Sequence, residues 1–154
     1  MRIDAFIFDM DDLLVRSAPT WTAAEKVLLD RVGYPYTPEL AQRYKGMNVL
    51  DVARTIYDIV RPSDLSMAQC QQILRDALIE QFSASPQPMP GAVELVKRLQ
   101  PLRPCAVASG SPLPAIERVM THLGVRDGFR QIVTSESVPR GKPHPDVSLK
   151  AADR

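Results

Sequence analysis

Carboxylates follow an apolar segment near the N-terminus of the sequence. The segment from Ile3 to Phe8 is rich in β-branched and aromatic residues and predicts a buried strand, which Asp9, Asp11 and Asp12 follow directly. Because the carboxyl ends of strands in an open α/β sheet face the ligand crevice, we expect these acids at that crevice. Crowded carboxylates repel one another unless a cation or a shared proton relieves them, and Mg²⁺ prefers carboxylate and carbonyl oxygens. The pattern therefore predicts a magnesium site, and the alternative is a solvated acidic turn.

Two later segments carry groups that can receive an anion. Ser109 and Gly110 end a second predicted strand and open a helix, whose first N–H groups attract negative charge. The alternative is a simple helix cap with a turn glycine, which already explains Ser111. Lys142 lies in a proline-stiffened loop from Gly141 to Asp146, where a lone lysine could equally be a solvated surface charge.

The elements that must position these residues change character along the chain. From Thr20 to Phe82 the apolar residues follow helical spacing, with Thr20 and Asn48 as predicted N-caps and a capping box at Ser66 to Gln69. The proline-dense stretch from Ser85 to Pro90 marks a boundary between two structural units.

Beyond this boundary helices alternate with strands. Strands are predicted from Pro104 to Ala108 and from Phe129 to Val133, separated by a helix from Pro112 to Leu123 with Ser111 as its N-cap. Such alternation predicts βαβ crossovers and an α/β fold with a parallel sheet that includes the first strand. We expect residues 1–18 and 90–154 to form this core, and residues 19–89 to form a helical insertion over its carboxyl end.

Composition and charge exclude several classes of function. The 154 residues carry a net charge of +1 with scattered Lys and Arg, which predicts neither a nucleic-acid nor a membrane partner. The longest apolar runs are too short to span a bilayer and no signal peptide is evident, so a cytoplasmic location is expected. Cys70 and Cys105 lack metal-binding or redox spacing and are expected to be buried, reduced thiols.

The order of these segments resembles the haloacid dehalogenase-like (HAD) superfamily over the entire chain. The pattern consists of a strand ending in D-x-D, a helical insertion, a second strand ending in Ser, and a G-K-P loop. The most similar subgroup is the sugar-phosphate phosphatases and β-phosphoglucomutase-like proteins. The resemblance implies a Rossmann-like α/β core with an inserted α-helical cap domain.

The resemblance also implies roles for the site residues. Asp9 would be the nucleophile that forms an aspartyl-phosphate, and Asp11 would protonate the leaving alcohol and later deprotonate water. Ser109 and the Gly110 N–H would hold phosphate oxygens, and Lys142 would offset the charge of Asp9 and the phosphoryl group.

The implied cofactor is Mg²⁺, bound by the Asp9 carboxylate and the Asp11 backbone carbonyl. The implied substrate is a small phosphorylated metabolite, in particular a sugar phosphate, with a cap loop in contact with it: Lys45, Gly46, Met47 and Asn48. A phosphatase is the leading interpretation. The alternatives are a β-phosphoglucomutase-like phosphomutase and a non-catalytic HAD fragment without the fourth motif.

Two departures from the family pattern carry expectations of their own. Asp12 stands where the family usually has glycine, so a more crowded and more negative backbone is expected beside the phosphate. The sequence ends at Arg154, before the family's fourth strand and acidic metal-binding motif, so we expect an incomplete core that lacks its last strands. The first strand would then be an open sheet edge through which the chain could self-associate.

Overall fold

The computed structural model describes residues 3–84 and 86–153, and its elements follow the predicted order. The first strand and the helices after it are β1 (Phe6–Phe8), α1 (Ala18–Arg31), α2 (Pro38–Gln42), α3 (Val49–Val60) and α4 (Met67–Ala84). The remaining elements are α5 (Ala92–Leu99), β2 (Cys105–Ser109), α6 (Leu113–His122), β3 (Phe129–Thr134) and α7 (Asp146–Ala152), with 3-10 turns at Arg126–Gly128 and Ser135–Ser137. Met1, Arg2, Ser85 and Arg154, which the predicted boundaries include, lie outside the described residues.

The three strands form one parallel sheet in the order β1-β2-β3. Phe8 pairs with Val107, and Ser109 pairs with Thr134, so the carboxyl ends of all three strands lie together. This confirms the predicted α/β fold with the first strand in the sheet. The strand is shorter than predicted, because Ile3 precedes it and remains half exposed.

The central strand β2 is buried on both faces. Cys105 and Val107 pack into the main apolar core, whereas Ala106 and Ala108 belong to a smaller cluster with residues of α7. This alternation follows from the period of two in a strand, and it places helices on both sides of the sheet. Cys70 and Cys105 are buried and unbridged, as predicted.

The helices between β1 and α5 pack mainly through apolar faces, and their predicted caps are partly correct. The Asn48 side chain accepts from the first N–H groups of α3, and Ser66 and Gln69 exchange the bonds of a capping box. The cap predicted at Thr20 is wrong, because α1 starts earlier, at Ala18. The N–H groups of Ser17 and Ala18, at the start of this helix, donate to the Asp12 carboxylate.

The connectors that enter and leave this helical segment run side by side. Val15 forms an antiparallel bridge with Pro88. The Arg16 N–H donates to the Gln87 carbonyl at 2.8 Å, and the Met89 N–H donates to the Leu14 carbonyl at 2.9 Å. The chain therefore enters and leaves the helical segment through two adjacent, hydrogen-bonded connectors. No helix within the described residues has both the length and the apolar character needed to cross a membrane.

Candidate active site

The turn after β1 directs the predicted acids toward one cavity. Met10 is fully buried, and its carbonyl accepts hydrogen bonds from the N–H groups of residues 13–15 at 2.9 to 3.3 Å. Asp9 and Asp11, on either side of Met10, both line a cavity of about 390 Å³. The tight turn thus holds both carboxylates at the carboxyl end of β1.

Asp9 and Lys142 form an ion pair inside this cavity. Lys142 Nζ lies 2.9 Å from Asp9 Oδ1, which also accepts a hydrogen bond of 2.8 Å from the Met10 N–H. Both side chains are partly exposed, and both line the cavity. The structure therefore brings the acid after the first strand and the lysine after the third into direct contact.

Asp11 is partly buried and held by three side-chain donors. Its Oδ1 accepts from Trp21 Nε1, and its Oδ2 accepts from the hydroxyls of Ser109 and Ser111, each at 2.9 Å. Burial raises the pKa of the Asp11 carboxyl, and the nearby Asp9 charge adds to the rise, while the three hydrogen bonds oppose it. The balance favours a carboxyl that can hold a proton more readily than a solvated aspartate.

The predicted phosphate-binding residues after β2 divide between the cavity and the core. Gly110 lines the cavity, whereas Ser109 is fully buried and directs its hydroxyl to Asp11. The predicted cap at Ser111 is wrong: Pro112 precedes the first residue of α6, and the Ser111 hydroxyl donates to Asp11 instead. Ser111 is thus a contact of Asp11 that the cap interpretation missed.

Asp12 adopts a backbone conformation that usually requires glycine. Its φ of 54° lies in the left-handed region, which non-glycine residues occupy at an energetic cost. Its Oδ1 accepts from the N–H groups of Ser17 and Ala18 at 2.9 and 3.2 Å. The negative charge therefore lies at the N-terminus of α1, where the helix dipole stabilises it.

The predicted cap loop lies partly on the same cavity. Lys45, Gly46 and Met47 line it together with Asp9 and Asp11, but Asn48 does not. Asn48 is buried and packs against the core loops instead: its Cα lies 3.4 Å from an ideal Cβ built on Gly110. A Cβ at Gly141 would overlap the Asn48 side-chain amide. Asn48 of the helical segment therefore packs closely against Gly110 and Gly141 of the core.

The oxygens at the end of β1 fit a hard cation. The hydrogen bond and the ion pair of the Asp9 carboxylate both use Oδ1, and among the described residues no hydrogen bond or ion pair uses Oδ2 or the Asp11 backbone carbonyl. One carboxylate oxygen and one carbonyl suit Mg²⁺, which keeps waters or phosphate oxygens in its other positions. In residues 3–84 and 86–153, no cluster of three or more His, Cys, Asp or Glu side chains is arranged to hold a metal.

Further residues of the cavity escaped the sequence prediction. Glu25 and Tyr44 line it from the helical segment, together with Trp21. Trp21 follows the apolar spacing of α1, and that spacing alone predicts only a place on its apolar face. The available signal was Glu25, a charged residue four positions after Trp21 and therefore on the same face of the helix.

Comparison with known proteins defines the class to which this fold and site belong. A family model described as haloacid dehalogenase-like hydrolase matches residues 3–154. The chain therefore belongs to the haloacid dehalogenase-like hydrolase family, as the sequence pattern predicted.

Individual proteins similar to this chain in sequence are named phosphatases, and a phosphomutase has a similar fold. The chain is 29% identical to fructose-1-phosphate phosphatase of Escherichia coli K12 over 153 residues, which cover 99% of this chain and 80% of the relative. It is 29% identical to hexitol phosphatase B of the same organism, with 98% of this chain and 69% of the relative covered. The fold is similar to that of β-phosphoglucomutase from Clostridium difficile, with a TM-score of 0.84 at 22% identity, over 98% of this chain and 70% of that one.

Proposed function

We propose that this chain is a magnesium-dependent phosphatase that hydrolyses a small phosphorylated metabolite, a sugar phosphate, through an aspartyl-phosphate on Asp9. The observation that carries the proposal is the 2.9 Å ion pair between Lys142 and Asp9 in a cavity that Asp11 and Gly110 also line. The phosphatase names of two relatives that are each 29% identical to the chain support the reaction class.

Asp9 would attack phosphorus, so that the P–O bond to the alcohol breaks as the Asp9–phosphorus bond forms. This splits one difficult displacement into two easier steps. Lys142 lies next to Asp9 and offsets the negative charge that accumulates when a phosphoryl group approaches a carboxylate. Because the Lys142 pair uses Asp9 Oδ1, Oδ2 is available to the phosphorus or to the cation.

Asp11 would transfer the proton in both steps. Burial raises the pKa of its carboxyl, which favours the protonated form that can donate to the leaving alcohol. The resulting carboxylate would then take a proton from the water that hydrolyses the Asp9 phosphoryl group. The hydroxyls of Ser109 and Ser111 hold the carboxylate in place for this second task.

The remaining contacts concern the phosphoryl oxygens. The Gly110 N–H would hold one of them, since Gly110 lines the cavity, and the Ser109 hydroxyl would do so only by exchanging its bond to Asp11. Mg²⁺, held by Asp9 and the Asp11 carbonyl, would supply neutralising charge to the phosphoryl group.

The test is release of inorganic phosphate from p-nitrophenyl phosphate and from a panel of sugar phosphates by the purified chain, with Mg²⁺ and with excess chelator. We expect Mg²⁺-dependent turnover, and a loss of about 10³-fold or more in Asp9→Asn, since the amide is a poor nucleophile. Asp58→Asn, a change at an exposed position on α3, is the matched control.

Two outcomes would contradict the proposal. Retained turnover in Asp9→Asn would show that Asp9 is not the nucleophile. Isomerisation of a sugar phosphate without net release of inorganic phosphate would show a phosphomutase instead. Trapping with beryllofluoride or labelled substrate, followed by peptide mapping, should place the modification on Asp9.

A further inference from the structure

A buried acid lines the cavity from the helical segment. Glu25 lies on α1, is only 7% exposed, and lines the same cavity as Asp9. Its Oε2 lies 3.3 Å from the hydroxyl of Tyr44, which is 2% exposed and lines the cavity as well. An acid this deeply buried costs stability unless a partner compensates it.

The second oxygen of Glu25 has no hydrogen-bond or ion-pair partner within residues 3–84 and 86–153. No hydrogen bond or ion pair among the described residues uses Oε1. Every fully buried side-chain nitrogen or oxygen in the described chain has a hydrogen-bond partner. Oε1 must therefore keep access to the cavity, where a ligand or water can reach it.

We propose that Glu25 and Tyr44 form a subsite that binds uncharged hydroxyl groups on the alcohol part of the ester and rejects alcohols that carry a second anionic group. The inference rests on the proposed phosphatase function and specifies its substrate class as monophosphates of sugars or polyols. Oε1 of Glu25 accepts a hydrogen bond from a hydroxyl, and the Tyr44 hydroxyl can accept one from another.

The charges around the cavity support this selectivity. Its acidic lining residues are Asp9, Asp11, Asp12 and Glu25, and its basic ones are Lys45 and Lys142. Lys142 is paired with Asp9, and Lys45 is exposed at the rim. A second phosphate or a carboxylate beside Glu25 would meet a buried acid in a lining that has four acids and two lysines, one of which is already paired, and this is unfavourable.

The surroundings of Glu25 also argue against a purely structural role. Burial raises its pKa to about 7, and the Tyr44 hydrogen bond opposes this rise only in part. A glutamine would fill the same volume and keep the Tyr44 contact without the cost of a buried charge. An acid at this position therefore fits a group that binds a ligand.

The test compares the intact chain with Glu25→Gln and Tyr44→Phe. We would measure kcat/KM for hexitol 6-phosphate, for 2-phosphoglycolate, for a hexose bisphosphate, and for p-nitrophenyl phosphate, whose alcohol has no further hydroxyl. Glu80→Gln on α4 and Tyr34→Phe are matched controls, because both side chains are exposed outside the cavity. Thermal unfolding of every variant reports on its folding.

In both variants, we expect the ratio of kcat/KM for hexitol 6-phosphate to that for p-nitrophenyl phosphate to fall about tenfold or more, the effect of one buried hydrogen bond. Glu25→Gln should also raise the kcat/KM for 2-phosphoglycolate relative to that for p-nitrophenyl phosphate. Ratios that stay within about twofold of the intact chain, or a preference of the intact chain for the anionic alcohols, would overturn the subsite.

A binding measurement separates this inference from the proposed function. If the intact chain turns over no ester, the phosphatase proposal fails, and calorimetry with the phosphonate analogue of hexitol 6-phosphate tests the subsite alone. We expect Glu25→Gln to weaken its binding about tenfold relative to methylphosphonate. Equal binding of the hexitol phosphonate by Glu25→Gln and the intact chain would refute the subsite.

Discussion

Trp21 Nε1 donates a hydrogen bond of 2.9 Å to Oδ1 of Asp11, so the first helix of the inserted segment holds an acid that follows the first strand. The other contacts of Asp11 come from Ser109 and Ser111, at the end of β2. The orientation of this acid therefore depends on the helical segment as well as on the sheet. Any displacement of α1 would remove the Oδ1 contact and leave the two Oδ2 contacts in place.

Trp21→Phe and Ser111→Ala test this dual dependence. Each removes one donor from Asp11, and we expect each to lower kcat by about tenfold or more, because a misaligned proton donor loses much of its catalytic contribution. Steady-state kinetics with p-nitrophenyl phosphate would measure the loss. X-ray scattering should show a change in shape only for Trp21→Phe, since Ser111 does not connect the two parts of the chain. Unchanged kcat in both variants would show that these donors do not position Asp11.

Closure of the helical segment should depend on Gly141. An added Cβ there would overlap the Asn48 amide, so Gly141→Ala should hold the segment away from the core. We expect KM to rise several-fold, and scattering to give a larger radius of gyration. The double variant Gly141→Ala/Asn48→Ser should restore both values, because serine is shorter and still caps α3. If Gly141→Ala had the same KM and radius of gyration as the intact chain, the contact between Gly141 and Asn48 would not control how closely the helical segment approaches the core.

Lys142 should contribute to turnover through its position next to Asp9. Lys142→Gln keeps a long polar side chain but removes the positive charge beside the Asp9 carboxylate. We expect kcat/KM to fall by about 10²- to 10³-fold, the range for loss of one preorganised group that stabilises transition-state charge. Lys97→Gln, at an exposed position on α5, is the control, and equal losses in the two variants would contradict the assignment.

The parts of this site that the sequence predicted are those set by local pattern. Asp9 could be placed because an acid directly after a buried strand must lie at its carboxyl end. The same logic applied to Ser109 and Gly110, since β2 is an apolar run with a turn signal after it. The parallel sheet followed from alternation of the elements, and β1 lies at one edge of it within the described residues. Self-association through that edge stays a prediction.

The remaining contacts depend on packing between distant residues. Ser111 is 100 residues from Asp11, and a serine before a helix has the same local pattern whether or not it caps the helix. The predicted start of α1 was wrong for a related reason. The N–H groups of Ser17 and Ala18 donate to the Asp12 carboxylate, which is five and six residues away, and not to a residue beside them. Tyr44 meets Glu25 only after the first helices of the inserted segment have packed together. No periodicity in a single element predicts such pairs.

Glu25 should make the stability of the chain depend on pH in a predictable direction. Burial raises its pKa from 4.5 in a model peptide to about 7, so the folded state holds the proton more tightly than the unfolded chain. Its stabilising contribution is full below pH 4.5 and is lost as the pH rises through about 7, a change of about 3 kcal/mol. Burial also raises the pKa of Tyr44, which therefore stays protonated throughout this window.

Glu25→Gln removes the titrating group and should remove this loss of stability. In urea unfolding between pH 4 and pH 8, we expect the variant to match the intact chain at pH 4 and to exceed it by up to about 3 kcal/mol at pH 8. Glu80→Gln, an exposed change on α4, should follow the intact chain at every pH. If the free energy of unfolding depended on pH in the same way for Glu25→Gln and for the intact chain, Glu25 would be solvated in the folded state. A gain in stability together with a loss of polyol-phosphate selectivity would show that the buried acid is kept for recognition at the expense of stability.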